Sequence, residues 1–211
     1  MNKYMMTASG REFVPARLVP TDVVIEDIAH SLSLICRFGG HTREHYSVAQ
    51  HSLLVMRILS AADAPAIIQM AGLLHDAHEA YVGDMPTPLK VALGSCWHKV
   101  EHQAACAVHE AFGLTDIMKR HHAIIKNADL VALATERRDV TGFDTNKNSA
   151  WNILVGVSPF HEPATTGSWS PQWWASLFLE QYYSLRDAVA SDVMAYLSQP
   201  ECFSAQLDSR K

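Results

Sequence analysis

Apolar side chains recur at helical spacing along most of the chain. Ile25, Ile28, Leu32 and Ile35 fall on one face of a helix predicted between Val24 and Cys36. Similar spacing predicts further helices at Ser47 to about Ala61, Asp63 into the run that ends at His75-Asp76, Trp97 to Phe112, around Asp129, and Pro171 to Leu197 with a break near Asp187. The pattern therefore predicts an all-α fold.

Two kinds of segment depart from the helical spacing. Residues Met5 to Leu18 alternate weakly around Ser9-Gly10, which predicts a short β hairpin or extended arm. The polar stretches 141–151 and 158–171 predict loops. We expect one domain over residues 1–211, with 1–20 as an N-terminal arm and 198–211 as a frayed tail.

Composition and charge narrow the functional classes. The formal net charge of -5 argues against a protein that holds nucleic acid by bulk charge, but it permits a small anionic substrate bound by local cations. No apolar stretch reaches membrane-spanning length, so we expect no membrane partner. The four cysteines lack paired spacing, which predicts reduced, buried thiols in a cytoplasmic protein. We also expect a homo-oligomer, with Trp169, Trp173 and Trp174 at a core edge or an oligomer interface.

The strongest chemical signal lies between Ala71 and Asp84. His75 and Asp76 follow an apolar run, and burying them unpaired is costly unless a divalent cation binds both. On a continuous helix, Glu79 returns to the face of this pair, and Gly83 can end the helix so that Asp84 points back over the site. His78 is interpreted as a surface residue or as one lying behind the ligands.

Two residues are too few for a catalytic divalent site, which uses three or more protein ligands. His51 lies in an apolar segment upstream, and Asp129 lies in another apolar helix downstream. Together they give the order His, then His-Asp, then Asp, with each part on its own predicted helix. The ion could be Mn, Co, Zn, Fe or Mg, since two imidazoles and two carboxylates suit several of these metals.

This order resembles the HD-domain metal-dependent phosphohydrolases. The stretch HDAHEAYVGDMPTPLK is similar to that of the bacterial 5'-deoxynucleotidases and of related phage and prophage HD hydrolases, which include deoxynucleoside triphosphate hydrolases. ICRFGGH followed by YSVAQHSLLV resembles their segment before the first metal histidine, and ADLVALATERRD resembles their last-ligand helix. The resemblance runs from about Thr7 to about Asp139, with weaker likeness towards Leu185, and it implies an HD-domain helical bundle with a short N-terminal β arm.

Four further residues are candidates for substrate binding. The resemblance implies that Arg37 contacts substrate phosphate, and Phe38 occupies a position where the bacterial 5'-deoxynucleotidases carry Trp beside the sugar. Lys90 follows a proline-rich loop and is either a phosphate ligand or an exposed residue that opens the next helix. Lys126 lies one turn before Asp129 and reaches either the phosphate or solvent.

The resemblance implies hydrolysis of 2'-deoxynucleotides, with Glu79 and Asp84 handling protons or orienting a water. Cleavage of deoxynucleoside monophosphates is the first expectation, and release of triphosphate from deoxynucleoside triphosphates such as dATP is the second. A different class, a non-enzymatic metal-dependent nucleotide sensor, stays open, although a pure binder does not need Glu79 and Asp84 near an anion.

Overall fold

The computed structural model describes residues 3–197 and is helical apart from one short β hairpin. Strands β1 (Met5–Met6) and β2 (Glu12–Phe13) pair antiparallel, as the N-terminal pattern predicts. The helices are α1 Ile25–Leu34, α2 Val48–Ala61, α3 Ala66–Leu73, α4 Glu79–Val82, α5 Thr87–Leu93, α6 Ser95–Ala111, α7 Thr115–Arg120, α8 His122–Asp139 and α9 Pro171–Leu197. The predicted all-α class with a β arm is confirmed; the predicted tail 198–211 lies outside the described residues.

Two predicted details were wrong. Helix α9 runs through Asp187 without the expected break, because no helix-breaking residue interrupts it after Pro171. Cys96 and Cys106 are exposed free thiols, so burial was wrongly predicted for both; they lie on the solvent side of α6. Within residues 3–197, no helix is both long and apolar enough to span a bilayer.

Helix α2 is the central element of the fold. It begins with a capping box, in which the Ser47 hydroxyl accepts from the Gln50 amide and the Gln50 side chain accepts from the Ser47 amide. Nearly every residue from Val48 to Met56 is buried, and α2 packs against α1, α3, α8 and α9. His51 is therefore carried into the interior on a rigid helix.

Gly72 sets the distance between α2 and α3. A Cβ at this position would lie 2.2 Å from Leu59 Cδ1 and 3.4 Å from Val55 Cγ1, so a larger residue requires the Leu59 side chain or the helices to shift. Val55 and Leu59 follow His51 at intervals of four residues and share its face of α2. The contact at Gly72 consequently brings the end of α3, and the His75-Asp76 pair after it, close to His51.

Arg37 is fixed near the start of α2 by backbone pairing. The amide of Arg37 donates to the carbonyl of Tyr46, and the amide of Val48 donates to the carbonyl of Ile35. These bonds close the segment from 37 to 46 against the N-terminus of α2. The Arg37 side chain is thereby held over the same end of the bundle as His51.

Candidate metal centre

The structure brings the four predicted ligands together. His51 Nε2 lies 3.3 Å from His75 Nε2, 3.6 Å from Asp76 Oδ2 and 3.3 Å from Asp129 Oδ1. His75 Nε2 lies 3.1 Å from Asp76 Oδ2 and 3.9 Å from Asp129 Oδ1. Two imidazole nitrogens and two carboxylate oxygens thus face one another. His51, His75 and Asp76 form a group that could hold a metal ion, and Asp129 Oδ1 lies beside it.

The His-Asp pair does not lie on a continuous helix, as the sequence pattern had predicted. Helix α3 ends at Leu73, residues 74–78 form turns, and α4 begins at Glu79. His75 uses this break to donate from Nδ1 to the Gly72 carbonyl at 2.8 Å, a bond that a regular helix would not offer. Gly83 ends α4 with φ of 85°, which agrees with the predicted helix stop.

Glu136 holds the first histidine from behind. Its side chain is 0% exposed, and its Oε1 accepts from His51 Nδ1 at 2.6 Å. With Nδ1 protonated, the lone pair of His51 Nε2 points toward the other ligands, the arrangement in which carboxylates commonly support metal-binding histidines. His75 is oriented in the same way by the Gly72 carbonyl. Both imidazoles therefore present Nε2 to the centre, which is the tautomer that a cation requires.

Sequence reasoning assigned no role to Glu136. A signal was present, because Glu136 follows Asp129 by seven residues, or two helical turns, and so shares its face of α8. The spacing was not decisive, since acidic residues at such intervals are common on solvated helices. Burial and contact with His51 distinguish it, and both depend on how α2 packs against α8.

Arg37 completes a buried network with Glu136. Arg37 Nη2 donates to Glu136 Oε2 at 3.0 Å, and Nη1 lies 4.0 Å from Asp76 Oδ2. Burial alone would lower the pKa of Arg37, but Glu136, Asp84, Asp76 and Glu79 raise it overall, so the guanidinium stays charged. Its Nε is buried and has no hydrogen-bond partner among the described residues.

The electrostatics of the four residues favour a cation. Burial would raise the pKa of Asp76, but the adjacent His75 and then His51 hold it well below its usual range. Burial and Arg37 would lower the pKa of His51, yet Glu136 and Asp129 raise it to about 9. The carboxylates are thus ionised and their combined field attracts positive charge to Nε2 of His51.

Glu79 and Asp84 lie beside this centre, and their pKa values are raised, whereas that of Asp76 is lowered. Glu79 is 3% exposed and its Oε2 has no partner among the described residues. Burial, followed by Asp76 and Asp84, raises its pKa well above the ordinary value. Burial also raises the pKa of Asp84, an effect to which Asp76 adds. These two acids can therefore hold a proton at a pH where Asp76 is ionised.

His78 is buried, which excludes the surface alternative and leaves the one that places it behind the predicted ligands. It contributes, with Asp76 and Glu79, to a second group whose ligand atoms lie within 4.8 Å of one another. Residues 74–78 form turns instead of a regular helix, and this brings His78 against its neighbours in the interior.

The two candidate lysines are already paired with carboxylates. Lys90 lies within α5, not in the loop, and its Nζ is 2.5 Å from Glu101 Oε1. Lys126 Nζ is 2.7 Å from Asp129 Oδ2, the oxygen turned away from the two imidazoles. Lys126 therefore orients a predicted metal ligand in addition to any contact with substrate.

Phe38 lies directly after Arg37 with a positive φ of 55°, an unusual conformation for a non-glycine residue. The Arg37 guanidinium lies 5.4 Å from the centre of its ring, and the ring of Trp151 lies 6.2 Å away. Trp151 therefore places a second aromatic side chain near the position where the resembling nucleotidases carry Trp.

Glu136→Gln is expected to weaken metal binding about tenfold or more, because the amide removes the negative charge that supports His51. The affinity for Mn²⁺ or Zn²⁺ can be measured by competition with a chromophoric chelator. Glu110→Gln is the matched control, since Glu110 is exposed on α6. Equal metal affinities in the two variants would show that Glu136 does not support metal binding.

His109 on α6 is expected to make the fold sensitive to acid. Burial, then the imidazoles of His78, His75 and His102, lower its pKa from 6.5 to about 4. A depressed pKa contributes stability that is present above pH 6.5 and lost as the pH falls toward about 4. In chelator, His109→Gln should therefore show a smaller fall in Tm between about pH 7.5 and pH 5 than the wild type. His98→Gln, an exposed change on the same helix, should show the same fall in Tm as the wild type. If Tm falls equally in His109→Gln and in the wild type, His109 is not the source of the acid sensitivity.

Comparison with known proteins places the chain among relatives of bacterial origin. No family model matches it. The Escherichia coli (strain K12) protein described as "Uncharacterized protein YfdR" is 37% identical over 184 residues, which cover 87% of this chain and 96% of that protein. "Uncharacterized protein RCAP_rcc00048" of Rhodobacter capsulatus is 40% identical over 141 residues, covering 64% and 71%. The chain therefore belongs to the same protein family as YfdR and RCAP_rcc00048.

Proposed function

We propose that this protein is an HD-type, divalent-metal-dependent hydrolase that cleaves phosphate esters of 2'-deoxynucleotides in the cytoplasm. The observation that carries the proposal is the convergence of His51, His75, Asp76 and Asp129 in the order typical of that superfamily. Arg37 lies against the same group through Asp76 and Glu136. A cation site and a phosphate-binding guanidinium thus occur side by side.

A divalent ion held by these four residues would lower the pKa of a bound water and so supply a nucleophile near neutral pH. Arg37 would bind the substrate phosphate, since its charge is retained and a guanidinium pairs well with phosphate oxygens. Glu79 would carry a proton toward the leaving oxygen or keep a water in line, because its surroundings favour the protonated form. Burial and Asp76 raise the pKa of Asp84 as they do that of Glu79. We therefore assign Asp84 whichever of these two roles Glu79 does not perform.

A deoxynucleoside monophosphate is the preferred substrate. A monophosphate needs about one protein cation beside the metal, and Arg37 meets that need. The ammonium groups of Lys90 and Lys126 are each within 2.7 Å of a carboxylate oxygen, so their charge is largely balanced before substrate binds. The pairing of both lysines supports the monophosphatase over a polyphosphate enzyme.

A triphosphohydrolase is the second candidate, and one observation favours it. Lys126 contacts the ligand Asp129, and Lys90 is influenced by the charges of Glu79 and Asp76, so both lysines lie near the predicted site. A triphosphate could draw them away from their partners. The product would then be a deoxynucleoside and intact triphosphate.

The test is a panel of deoxy- and ribonucleoside mono- and triphosphates with Mn, Co, Mg and Zn, followed by chromatography and phosphate release. We expect phosphate from dNMPs, strong impairment in Arg37→Ala, and little change in KM for dNMPs in Lys90→Ala. The triphosphohydrolase would be supported instead if dATP releases triphosphate and dAMP releases no phosphate. In that case both lysine variants should show a raised KM for dNTPs. Metal and nucleotide binding without any turnover would favour a sensor.

A further inference from the structure

A cavity of about 760 Å³ lies beside the C-terminal part of α8. Its volume is within the range of about 300–1,000 Å³ that is usual for small-molecule sites. Arg138 follows Glu136 by about 200° around the helix and so faces away from the side that carries Asp129, whereas Arg137 follows Glu136 by about 100° and lies on the flank of the helix. None of the residues assigned to metal or substrate above lines it. The walls comprise Arg43, Ala134, Arg137, Arg138, Gly142, Phe143, Asp144, Thr145, Lys147, Asn148 and Pro159.

The cavity has an excess of positive charge in a chain whose net charge is -5. Four cationic side chains and one carboxylate, that of Asp144, contribute to the lining. Arg138 is paired with Asp139 and donates to two backbone carbonyls, and Lys147 is paired with Asp144. Within residues 3–197, neither Arg43 nor Arg137 has a carboxylate partner. Two guanidinium groups therefore keep their charge and their donors.

Arg137 is held in place by aromatic rings instead of an acid. Its Cζ lies 4.7 Å from the centre of the Phe143 ring and 5.9 Å from that of Trp151. Such cation–π contacts position a guanidinium without neutralising it. A structural arginine at this place would be expected to pair with a carboxylate, as Arg138 does with Asp139. Because aromatic rings and not a carboxylate hold Arg137, its planar N–H groups are available for an oxyanion.

Neutral donors complete the lining. The Asn148 side-chain oxygen accepts from the Asp144 amide at 2.8 Å, so its NH₂ group is free to donate to a ligand. The position of Arg43 is fixed by its backbone amide, which donates to the carbonyl of Val140 at the end of α8. Charged and neutral donors thus surround one space from two sides, the pattern that binds phosphate oxygens.

We propose that this cavity is a second anion site, one that binds the phosphate group of a small molecule and acts independently of the metal centre. Arg43 and Arg137 supply the charge, Asn148 supplies an amide donor, and Phe143 with Trp151 fixes Arg137. The proposal does not depend on the proposed hydrolase function, because no proposed metal ligand or phosphate-binding residue lines the cavity; Trp151 lies between Phe38 and Arg137 but supplies no charge. The phosphate can belong to a free inorganic anion or to a nucleotide.

The experiment is isothermal titration of the full chain with inorganic phosphate, triphosphate, dAMP and dATP, in chelator and, for the inorganic anions, with saturating Mn²⁺. We expect saturable binding that persists in chelator and weakens tenfold or more in Arg43→Gln and in Arg137→Gln. Arg17→Gln is the matched control, because Arg17 is exposed in the N-terminal region and its loss changes the net charge equally. Its affinity should stay within twofold of the wild type. Tighter binding of inorganic anions or of nucleotides identifies the source of the phosphate.

Arg43→Gln decides the outcome if Arg137→Gln alters the fold, since the Arg43 side chain is exposed and makes no described contact. Unchanged affinity in Arg43→Gln would overturn the proposal. So would binding that is lost in chelator or in Arg37→Gln, because it would then belong to the metal centre. Stronger binding of a single-stranded oligonucleotide than of any small anion, through the same arginines, would replace the proposal with a nucleic-acid surface.

Discussion

Asp76→Ala is expected to abolish both metal binding and hydrolysis. Asp76 Oδ2 lies 3.1 Å from His75 Nε2 and 3.6 Å from His51 Nε2, so the side chain contributes to both halves of the predicted ligand set. Removing it leaves two imidazoles and one carboxylate, and it also removes the charge nearest to Arg37 Nη1. Elemental analysis of the purified variant and the nucleotide panel measure the two losses.

Asp116→Ala is the matched control for this prediction, since Asp116 is an exposed carboxylate in the first turn of α7. It should retain metal and activity. Circular dichroism establishes whether the Asp76 variant is folded. A folded Asp76→Ala protein with a full complement of metal would show that the ion, if there is one, binds elsewhere.

Glu79→Gln is expected to retain the metal and lower turnover roughly a hundredfold or more, the usual scale for a general acid–base group. Glutamine keeps the size of the buried side chain but cannot exchange a proton. Glu79 is close enough to Asp76 for that carboxylate to raise its pKa, yet it does not belong to the group of His51, His75 and Asp76. Single-turnover kinetics on dAMP and on other dNMPs, with metal content measured in parallel, test this separation.

The change at Glu79 can be compared with Glu110→Gln, an exposed substitution that should leave turnover unaltered. Loss of metal in Glu79→Gln would instead make Glu79 a ligand. Normal turnover with normal metal content would return Glu79 to a structural role and strengthen the sensor alternative.

The sequence predicted which residues come together better than it predicted their local structure. Residue type and order were enough to select His51, His75, Asp76 and Asp129. Both can be recognised without knowing where each helix ends. The helix through His75 was wrong, because hydrophobic periodicity does not reveal that the chain breaks at Leu74 to let His75 bond to Gly72. The need for glycine at position 72 is likewise set by Leu59 on another helix.

Burial and side-chain pairing of individual polar residues were the hardest features to predict. Glu136 and His78 are ordinary polar residues by local pattern, and only tertiary packing shows that both are buried. Lys90 and Lys126 were recognised as cations near the site, but their pairing with Glu101 and Asp129 depends on side-chain geometry. Chemical type and order can be inferred from one sequence; the partner of each group cannot.

The shared carboxylate of Glu136 has a thermodynamic consequence. One of its oxygens accepts from Arg37 and the other from His51, so the proposed phosphate-binding group and the proposed metal ligand share the same negative charge. A phosphate that bonds to Arg37 leaves more of that charge to the imidazole, which makes His51 the better ligand. By reciprocity, a cation on His51 must then favour phosphate at Arg37 by the same free energy. We therefore expect metal and nucleotide to bind with positive cooperativity, and Glu136→Gln to reduce that coupling.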